Sequence, residues 1–184
     1  MDNPLRDRRS PSELAASGQV IEITEKLSSF ERLAGIVEAD LLALDPDKLP
    51  SGWRDTVVAG QLGFAFSDTH NSVPALNGRV QVTIDAVCQR CLEPFRLPLA
   101  AELRFLFVDK NSAAVEVDDY ENWELADDEL HPLDLVEEAL IMAIPFVAMH
   151  TNDESCGKPD EVIDESGDKV QPFANLRSQM DDEN

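Results

Sequence analysis

Residues 79–108 read RVQVTIDAVCQRCLEPFRLPLAAELRFLFV, and this stretch decides the fold. Apolar and polar residues alternate over its first eight positions and again from Leu97 to Val108, which is typical of half-buried strands. Between them lies the octet CQRCLEPF (residues 88–95), whose proline and small size suit a turn. We therefore predict an antiparallel hairpin over about 79–108 with the octet at its tip, and a mostly antiparallel sheet built around it.

Two helices are predicted to flank this sheet. Pro132 suits the first position of a helix, and apolar residues at helical spacing extend that helix over about 132–144. An earlier helix is expected over about 24–34, with Gly35 as its stop. Asn77-Gly78 is predicted to be the two-residue turn of a second hairpin. These elements together give the fold class α+β.

Composition divides the chain into three parts. Residues 1–18 carry few large apolar side chains and are expected to form a flexible leader. A single domain is expected over 19–156, including an acidic loop after the hairpin with one short strand near 115–117. Residues 157–184 are expected to form an acidic, largely flexible tail that contains a short Pro-Phe-Ala-x-Leu motif.

Acidic residues are concentrated in the second part of the chain. The net charge is −22 from 37 acidic and 15 basic side chains. Residues 109–184 hold 22 acidic and 4 basic residues, whereas residues 1–108 hold 15 and 11. Such a surface repels phosphates and attracts a basic protein, because nucleic-acid affinity depends on lysine and arginine. The other interpretation is that the acidic residues only keep the protein in solution.

The sequence shows no feature of export or membrane insertion. The longest apolar run, Leu140–Met149, has ten residues and contains Pro145, whereas a bilayer-spanning helix needs about 20. No apolar run follows the N-terminal arginines, so a secretory signal is not expected. Three cysteines without such a signal argue against a disulfide framework. We expect a cytoplasmic protein with no membrane contact.

The octet contains the pattern C-x-x-C at Cys88 and Cys91, which can hold a tetrahedral metal ion when it flanks a tight turn. His150 and Cys156 would complete a Cys₃His set, and zinc is the candidate metal. The alternative is a pair of thiols that only pack at the turn. Thioredoxin-like redox chemistry is less favoured, since it needs the first cysteine at a helix N-terminus. No catalytic motif is present, so we expect no enzyme activity.

A second interpretation of the octet is a binding surface for RNA or for a protein partner. An aromatic side chain beside arginines is typical of RNA contacts. The residues concerned are Arg90, Pro94, Phe95 and Arg96. The competing interpretation, which we favour, is that Arg79 and Arg104 lie on the solvent face of the two strands and pair with Asp85 and Glu102.

The octet resembles the C-x-R-C-x-x-P-F signature of the YceD family, the large ribosomal RNA subunit accumulation proteins. Residues 133–150, LDLVEEALIMAIPFVAMH, followed by Cys156, are similar to the family's acidic helix, its L-P-x-x-P-x-H ending and its downstream cysteine. Pro172–Leu176 is similar to the family's motif near the C-terminus. Ala148 departs from the family pattern, which has a second proline there.

The resemblance implies a non-catalytic bacterial factor that is required for the accumulation of 23S ribosomal RNA, through processing or stability, in ribosome biogenesis. The implied partner is a ribosomal protein or a ribosome-assembly or RNA-processing factor, with indirect or weak contact to 23S rRNA. Phe173 and Leu176 of the C-terminal motif would take part in partner binding. Two alternatives stay open: a direct RNA-binding module that uses the Arg90/Phe95/Arg96 turn, and a small zinc-binding structural domain of another role.

The family's cysteine and histidine positions correspond to those of the candidate metal ligands. This correspondence supports a metal or thiol cluster without deciding between them. The tail after Leu176 holds one arginine and then Asp181, Asp182 and Glu183, where relatives often end in lysine or arginine. The sequence therefore argues against a basic tail that grips RNA.

Overall fold

A five-stranded sheet forms the centre of the fold. The structure is a computed structural model, and it describes residues 3–67, 73–109, 117, 119–125, 128–150 and 156. The strands are β1 (Val20–Lys26), β2 (Val57–Phe66), β3 (Pro74–Val87), β4 (Pro94–Asp109) and β5 (Glu121–Leu125). They lie side by side in chain order, with β1 to β4 antiparallel and β5 parallel to β4. The predicted α+β class with a mostly antiparallel sheet is confirmed.

The hairpin of β3 and β4 is paired along its whole length. Its register runs from Ala75 opposite Leu106 to Val87 opposite Pro94, which leaves residues 88–93 as the connecting turn. Because side chains alternate across a strand, the apolar residues of the sequence pattern share the face that packs into the core. The predicted hairpin with the cysteine turn at its tip is therefore confirmed.

Asn77-Gly78 is not a turn, and this prediction was wrong. Both residues lie inside β3, where Gly78 is opposite Leu62 on one side and Leu103 on the other. A Cβ atom on Gly78 would stand 2.8 Å from a methyl carbon of Leu62 and 2.9 Å from the carbonyl oxygen of Gln61. The glycine is thus used for the close approach of neighbouring strands.

Three helices and three short 3₁₀ turns complete the part of the fold that the structure describes. The helices are α1 (Pro11–Ala16), α2 (Glu31–Leu41) and α3 (Pro132–Met142), and the turns are Leu27–Ser29, Pro46–Lys48 and Trp53–Asp55. Among the described residues, no helix is long and apolar enough to cross a membrane. The helix predicted from Pro132 exists and begins at that proline, but it ends at Met142, two residues before the expected end.

The N-terminal helix was predicted over the wrong residues. Residues 24–26 belong to β1, and the helix begins only at Glu31 and continues through Gly35 to Leu41. The error has a physical cause. Leu27, Phe30 and Leu33 are buried at intervals of three residues, as in a helix, but they belong to a 3₁₀ turn, a helix cap and α2 in that order. The spacing of apolar residues in the sequence therefore cannot distinguish a 3₁₀ turn from an α-helix here.

The first 18 residues also differ from the expected flexible leader. Leu5 and Leu14 are buried in the core, and residues 11–16 form α1. The backbone of Arg9 exchanges two hydrogen bonds with Leu130, at 3.0 and 2.8 Å. The described part of this segment, which starts at residue 3, packs against the rest of the fold.

The acidic segment after the hairpin contains a strand, but not at the predicted residues. The predicted short strand at 115–117 falls largely outside the described residues, and the observed strand is β5. Its Trp123 ring packs against Phe105 of β4, with centroids 5.1 Å apart. The boundary of the expected tail, residues 157–184, also lies outside the described residues.

Helices α2 and α3 are joined by one buried carboxylate. The N-terminus of α2 has no capping side chain of its own. Glu137 of α3 supplies the acceptor instead: its Oε1 accepts the backbone N–H groups of Arg32 at 2.7 Å and Leu33 at 3.1 Å, and its Oε2 accepts the Arg32 side chain at 3.0 Å. A carboxylate at a helix N-terminus is also favoured by the helix dipole. This contact fixes α3 relative to α2.

Candidate metal centre

The turn between β3 and β4 places two cysteines in a defined geometry. The backbone N–H of Cys88 donates to the carbonyl of Glu93 at 3.0 Å, and the N–H of Leu92 donates to the carbonyl of Cys88 at 2.8 Å. Leu92 takes the left-handed conformation, with φ of 59°. This tight turn brings Cys91 back towards Cys88, whose side chain is buried.

The segment after α3 crosses this turn and brings a histidine to it. The backbone N–H of Gln89 donates to the carbonyl of Ala148 at 2.9 Å. The side-chain amide of Gln89 donates to the carbonyl of Phe146 at 3.5 Å. His150 follows two residues after Ala148, and its ring packs against Phe95 at 4.8 Å between centroids.

Four possible ligand atoms converge where the two segments meet. They come from Cys88, Cys91, His150 and Cys156, and all lie within 4.8 Å of one another. The sulfurs of Cys88 and Cys156 are 3.7 Å apart, and the sulfur of Cys91 is 3.6 Å from Nδ1 of His150. We call this set the Cys₃His cluster. All four candidate ligands that the sequence analysis named are thus brought together.

Two of the six separations among these atoms match the edges of a zinc tetrahedron. With Zn–S bonds of about 2.3 Å and Zn–N bonds of about 2.0 Å, a tetrahedron places two sulfurs about 3.8 Å apart and a sulfur and a nitrogen about 3.5 Å apart. The observed 3.7 and 3.6 Å lie close to these values. Thiolates and a histidine nitrogen are also the donors that structural zinc prefers. The residues present therefore fit the metal.

The electrostatic environment prepares one thiol for a metal. Burial of Cys88 opposes ionisation, but the backbone N–H groups of Cys91, His150 and Arg90 donate to its sulfur, and the net effect lowers the pKa of Cys88 to about 5. Burial raises the pKa of Cys156, aided by the neighbouring sulfurs and opposed by a hydrogen bond from Arg90. At neutral pH the cluster thus holds a thiolate at Cys88, which is the metal-binding form of cysteine.

The arginines of the turn have partners inside the protein. Nε of Arg90 donates to the sulfur of Cys156 at 2.9 Å. Arg96 donates to the Asp85 carboxylate and to the Thr83 carbonyl, both at 3.0 Å. The Asp85 carboxylate, which was expected to pair with Arg79, is thus paired with Arg96, whereas the expected pairing of Arg104 with Glu102 is observed.

Arg104 lies 3.5 Å from the Glu102 carboxylate and 3.6 Å from that of Asp119.

Among the predicted partner-binding residues, Pro94 and Phe95 are half-buried at the start of β4. The proposed partner-binding residues Phe173 and Leu176 lie outside the described residues.

One residue near the cluster, Asp40, was not predicted from the sequence. Oδ2 of Asp40, in the last turn of α2, accepts the backbone N–H of Val87 at 2.7 Å. This contact holds the end of β3 directly before Cys88. No sequence signal could have found this contact, because the two residues are 47 positions apart. In the sequence, Asp40 cannot be distinguished from an ordinary solvent-facing aspartate near the end of a helix.

Comparison with known proteins shows the family of this chain. The sequence profile described as large ribosomal RNA subunit accumulation protein YceD matches residues 76–178, more than half of the chain. A protein of that name from Haemophilus influenzae is 29% identical, over 63% of this chain and 71% of its own length. No solved structure matches the chain. The profile match spans the hairpin turn, α3 and the whole Cys₃His cluster, and the chain belongs to the YceD family.

Proposed function

We propose that this protein supports the accumulation of large-subunit (23S) ribosomal RNA as a non-catalytic factor of ribosome biogenesis, acting through a basic protein partner. Family membership supports the link to ribosomal RNA, since the profile and the related protein both carry that description. The partner is a ribosomal protein or an assembly or RNA-processing factor. The site of action is the bacterial cytoplasm.

The distribution of charge along the chain is the observation that supports a basic protein as the partner. Residues 109–184 have a net charge of −18, from 22 acidic and 4 basic residues. Phosphate binding needs lysine and arginine to displace counterions, and residues 109–184 contain only four of them. An anionic surface instead speeds the encounter with a cationic protein and favours it over other partners.

The Cys₃His cluster has a structural role in this proposal, with zinc as the metal. Four protein ligands fill a tetrahedron and leave no position for a substrate, which distinguishes a structural site from a catalytic one. Bound zinc would supply a cross-link between the hairpin turn and the segment after α3. Cys88, Cys91, His150 and Cys156 would hold the metal. The Arg90 side chain would offset the negative charge of three thiolates and one neutral histidine on a divalent ion.

Thiol catalysis is the competing use of an ionised cysteine. A lowered pKa at Cys88 is a property that such an enzyme would also have. However, the side chain of Cys88 is fully buried, and it follows a strand and not a loop that begins a helix. A nucleophile must reach its substrate, whereas a structural metal ligand needs no access to solvent. The burial of Cys88 therefore supports a role as metal ligand over a role as catalytic nucleophile.

Direct RNA binding by the Arg90/Phe95/Arg96 turn is less well supported. Arg90 contacts a cluster sulfur, Arg96 contacts Asp85, and the Phe95 ring packs on His150. Binding to phosphates or bases would have to break these contacts. The turn is better explained as the support of the cluster.

An affinity pull-down from cells tests the proposed function. The full chain carries the tag, and the lysate is divided and treated with or without ribonuclease before washing. We expect the same basic ribosomal or assembly protein to be retained in both halves, because the contact is between proteins. Loss of every specific partner after ribonuclease treatment would contradict the proposal and favour direct RNA binding.

A further inference from the structure

Strand β1 forms a free edge of the sheet. It has β2 on one side, and no backbone group of the described residues hydrogen-bonds to its other side. Natural edge strands are protected from pairing by short length, charge, proline or a bulge. The opposite edge, β5, has five residues and carries Glu121 and Glu124. By contrast, β1 has seven residues, no proline and an uninterrupted register with β2, so it lacks most of these protections.

Hydrogen bonds just beyond the two ends of β1 show which of its backbone groups point outward. The N–H of Phe64 donates to the carbonyl of Gln19 at 2.9 Å, and the N–H of Leu27 donates to the carbonyl of Thr56 at 2.8 Å. Both pairs continue the register of β1 with β2. Since hydrogen-bonded pairs alternate along an antiparallel ladder, the odd-numbered residues of β1 bond to β2. Its even-numbered residues, 20 to 26, therefore direct their N–H and carbonyl groups to the free edge.

The side chains of these outward-directed residues are accessible. All four even-numbered residues of β1 are exposed, whereas Ile21 and Ile23 are buried. Lys26 contacts Asp55 at 2.7 Å, but the two side chains are 63 and 68% exposed. A lysine ammonium group has three N–H donors, so Lys26 can contact a second carboxylate at the same time.

The order of side chains along β1 is complementary to a reversed copy of the same strand. Near the middle of the strand, antiparallel pairing of two copies through the outward groups can be centred on Glu22, Ile23 or Thr24. The first register places two glutamates opposite each other, and the second places Glu22 opposite Thr24. The third places each Glu22 opposite Lys26 of the other copy and the two threonines opposite each other. Opposite charges and threonine pairs stabilise antiparallel strands, whereas like charges destabilise them.

We propose that β1 pairs with β1 of a second copy of this chain, antiparallel and centred on Thr24, so that the two sheets join into one continuous sheet. This inference goes beyond the proposed function and does not depend on it. The paired stretch is residues 22–26 of each copy, and the 3₁₀ turn at Leu27–Ser29 ends it. Because this contact is short, we expect a dimer that dissociates on dilution.

Analytical ultracentrifugation of the full chain tests the pairing. At an ionic strength of about 0.15 M, where charges more than about 8 Å apart are screened, the chain should show a reversible equilibrium between monomer and dimer. Thr24→Pro should weaken dimerisation by about tenfold or more, since proline removes an outward N–H from each copy and leaves the hydrogen bonds to β2 intact. Thr24→Ser keeps this N–H and should dimerise like the wild type. Thermal unfolding of each variant verifies that the fold is intact.

Two charge reversals test the register. Glu22→Lys places lysines opposite each other, and Lys26→Glu places glutamates opposite each other, so each variant alone should dimerise about tenfold more weakly. An equimolar mixture of the two variants restores both opposite-charge pairs and should form heterodimers with nearly wild-type affinity.

Glu102→Lys provides the matched control, because it makes the same change of charge at an exposed position of β4, inside the sheet. It should not weaken dimerisation. Glu22→Lys and Glu102→Lys both lower the net negative charge of the chain, so long-range repulsion alone predicts tighter association for both. Weaker association of Glu22→Lys therefore reports the local contact.

Three results would overturn the inference. One is a wild-type chain that stays monomeric up to about 1 mM. Another is a dimer that Thr24→Pro and both charge reversals leave unchanged, since its contact would lie elsewhere. The third is weaker dimerisation in both charge reversals without recovery in their mixture, which would reject the register centred on Thr24. The purified chain is measured without RNA or a basic partner, so none of these results bears on the proposed function.

Discussion

The buried carboxylate that joins α2 to α3 allows a quantitative test of the fold. Replacing Glu137 by alanine removes the acceptor for the backbone N–H groups of Arg32 and Leu33 and for the Arg32 side chain. Loss of a helix cap costs about 1 kcal/mol, and a hydrogen bond to a charged group contributes roughly 1.5–3 kcal/mol. We therefore expect Glu137→Ala to lower the free energy of unfolding by about 2–4 kcal/mol.

The neighbouring glutamate provides a matched control. Glu138 also contacts Arg32, at 2.8 Å, but its side chain is 38% exposed where that of Glu137 is 9% exposed. Exposed ion pairs contribute about 0–1 kcal/mol, because water screens the charges. Glu138→Ala should thus change stability by less than about 1 kcal/mol. The two variants remove the same functional group from adjacent positions.

Urea denaturation followed by circular dichroism measures both variants. The midpoint should fall clearly for Glu137→Ala and little for Glu138→Ala, with the same slope for both, since the surface exposed on unfolding is unchanged. Equal losses in the two variants, or a loss below about 0.5 kcal/mol for Glu137→Ala, would refute the capping role. Thermal unfolding should give the same order.

Three further predictions concern the cluster, its acid dependence and the sheet. Protein purified without chelator should contain about one zinc ion per chain by elemental analysis, and Cys156→Ser should retain much less zinc. Wild-type protein without zinc would contradict zinc binding by the Cys₃His cluster. Because folding lowers the pKa of Cys88 from 9.0 to about 5, this group should stabilise the metal-free protein fully above about pH 9, and the contribution should be lost progressively as the pH falls from about 9 to about 5. Urea titrations at several pH values in this range should show a smaller change for Cys88→Ser. Gly78→Ala should destabilise the protein by about 1–3 kcal/mol in the same urea assay, since its Cβ would meet Leu62 and Gln61, and a neutral result would show that β2 and β3 can separate without loss.

The central hairpin could be predicted because most residues of its two strands alternate between the core and the solvent face. Alternation from Arg79 to Ala86 and from Leu97 to Val108 fixes both strands and their core face. Asn77-Gly78 looked like a turn by the same local reasoning, but glycine serves a close strand approach equally well. Local sequence cannot tell these two uses apart, because the difference lies in the neighbouring strand.

The elements around the hairpin depend on contacts between distant parts of the chain. Leu5 is buried against residues more than a hundred positions away, and its carbonyl accepts the N–H of Leu133 at 2.9 Å. The position of α2 is set by Glu137, and no spacing rule connects that residue to Arg32. Such contacts follow from the complete packing and leave no periodic signal in the sequence.

The four candidate ligands were easier to predict than the residues that contact them. C-x-x-C, a histidine and a later cysteine are the residue types of a zinc site, and the structure brings these four together. Arg90 and Phe95 instead looked like an RNA-binding pair, since an exposed arginine and an aromatic residue are typical of such surfaces. Their contacts with Cys156 and His150 became visible only when the segment after α3 was placed on the turn.

Filter binding of 23S rRNA to the purified full chain tests the central claim most directly. The protein is titrated against protein-free rRNA at an ionic strength of about 0.15 M, where surface charges beyond about 8 Å are screened. We predict binding no tighter than ordinary non-specific association, with a Kd of about 1 µM or weaker. A Kd in the nanomolar range for the bare RNA would contradict a function that depends on a basic protein partner.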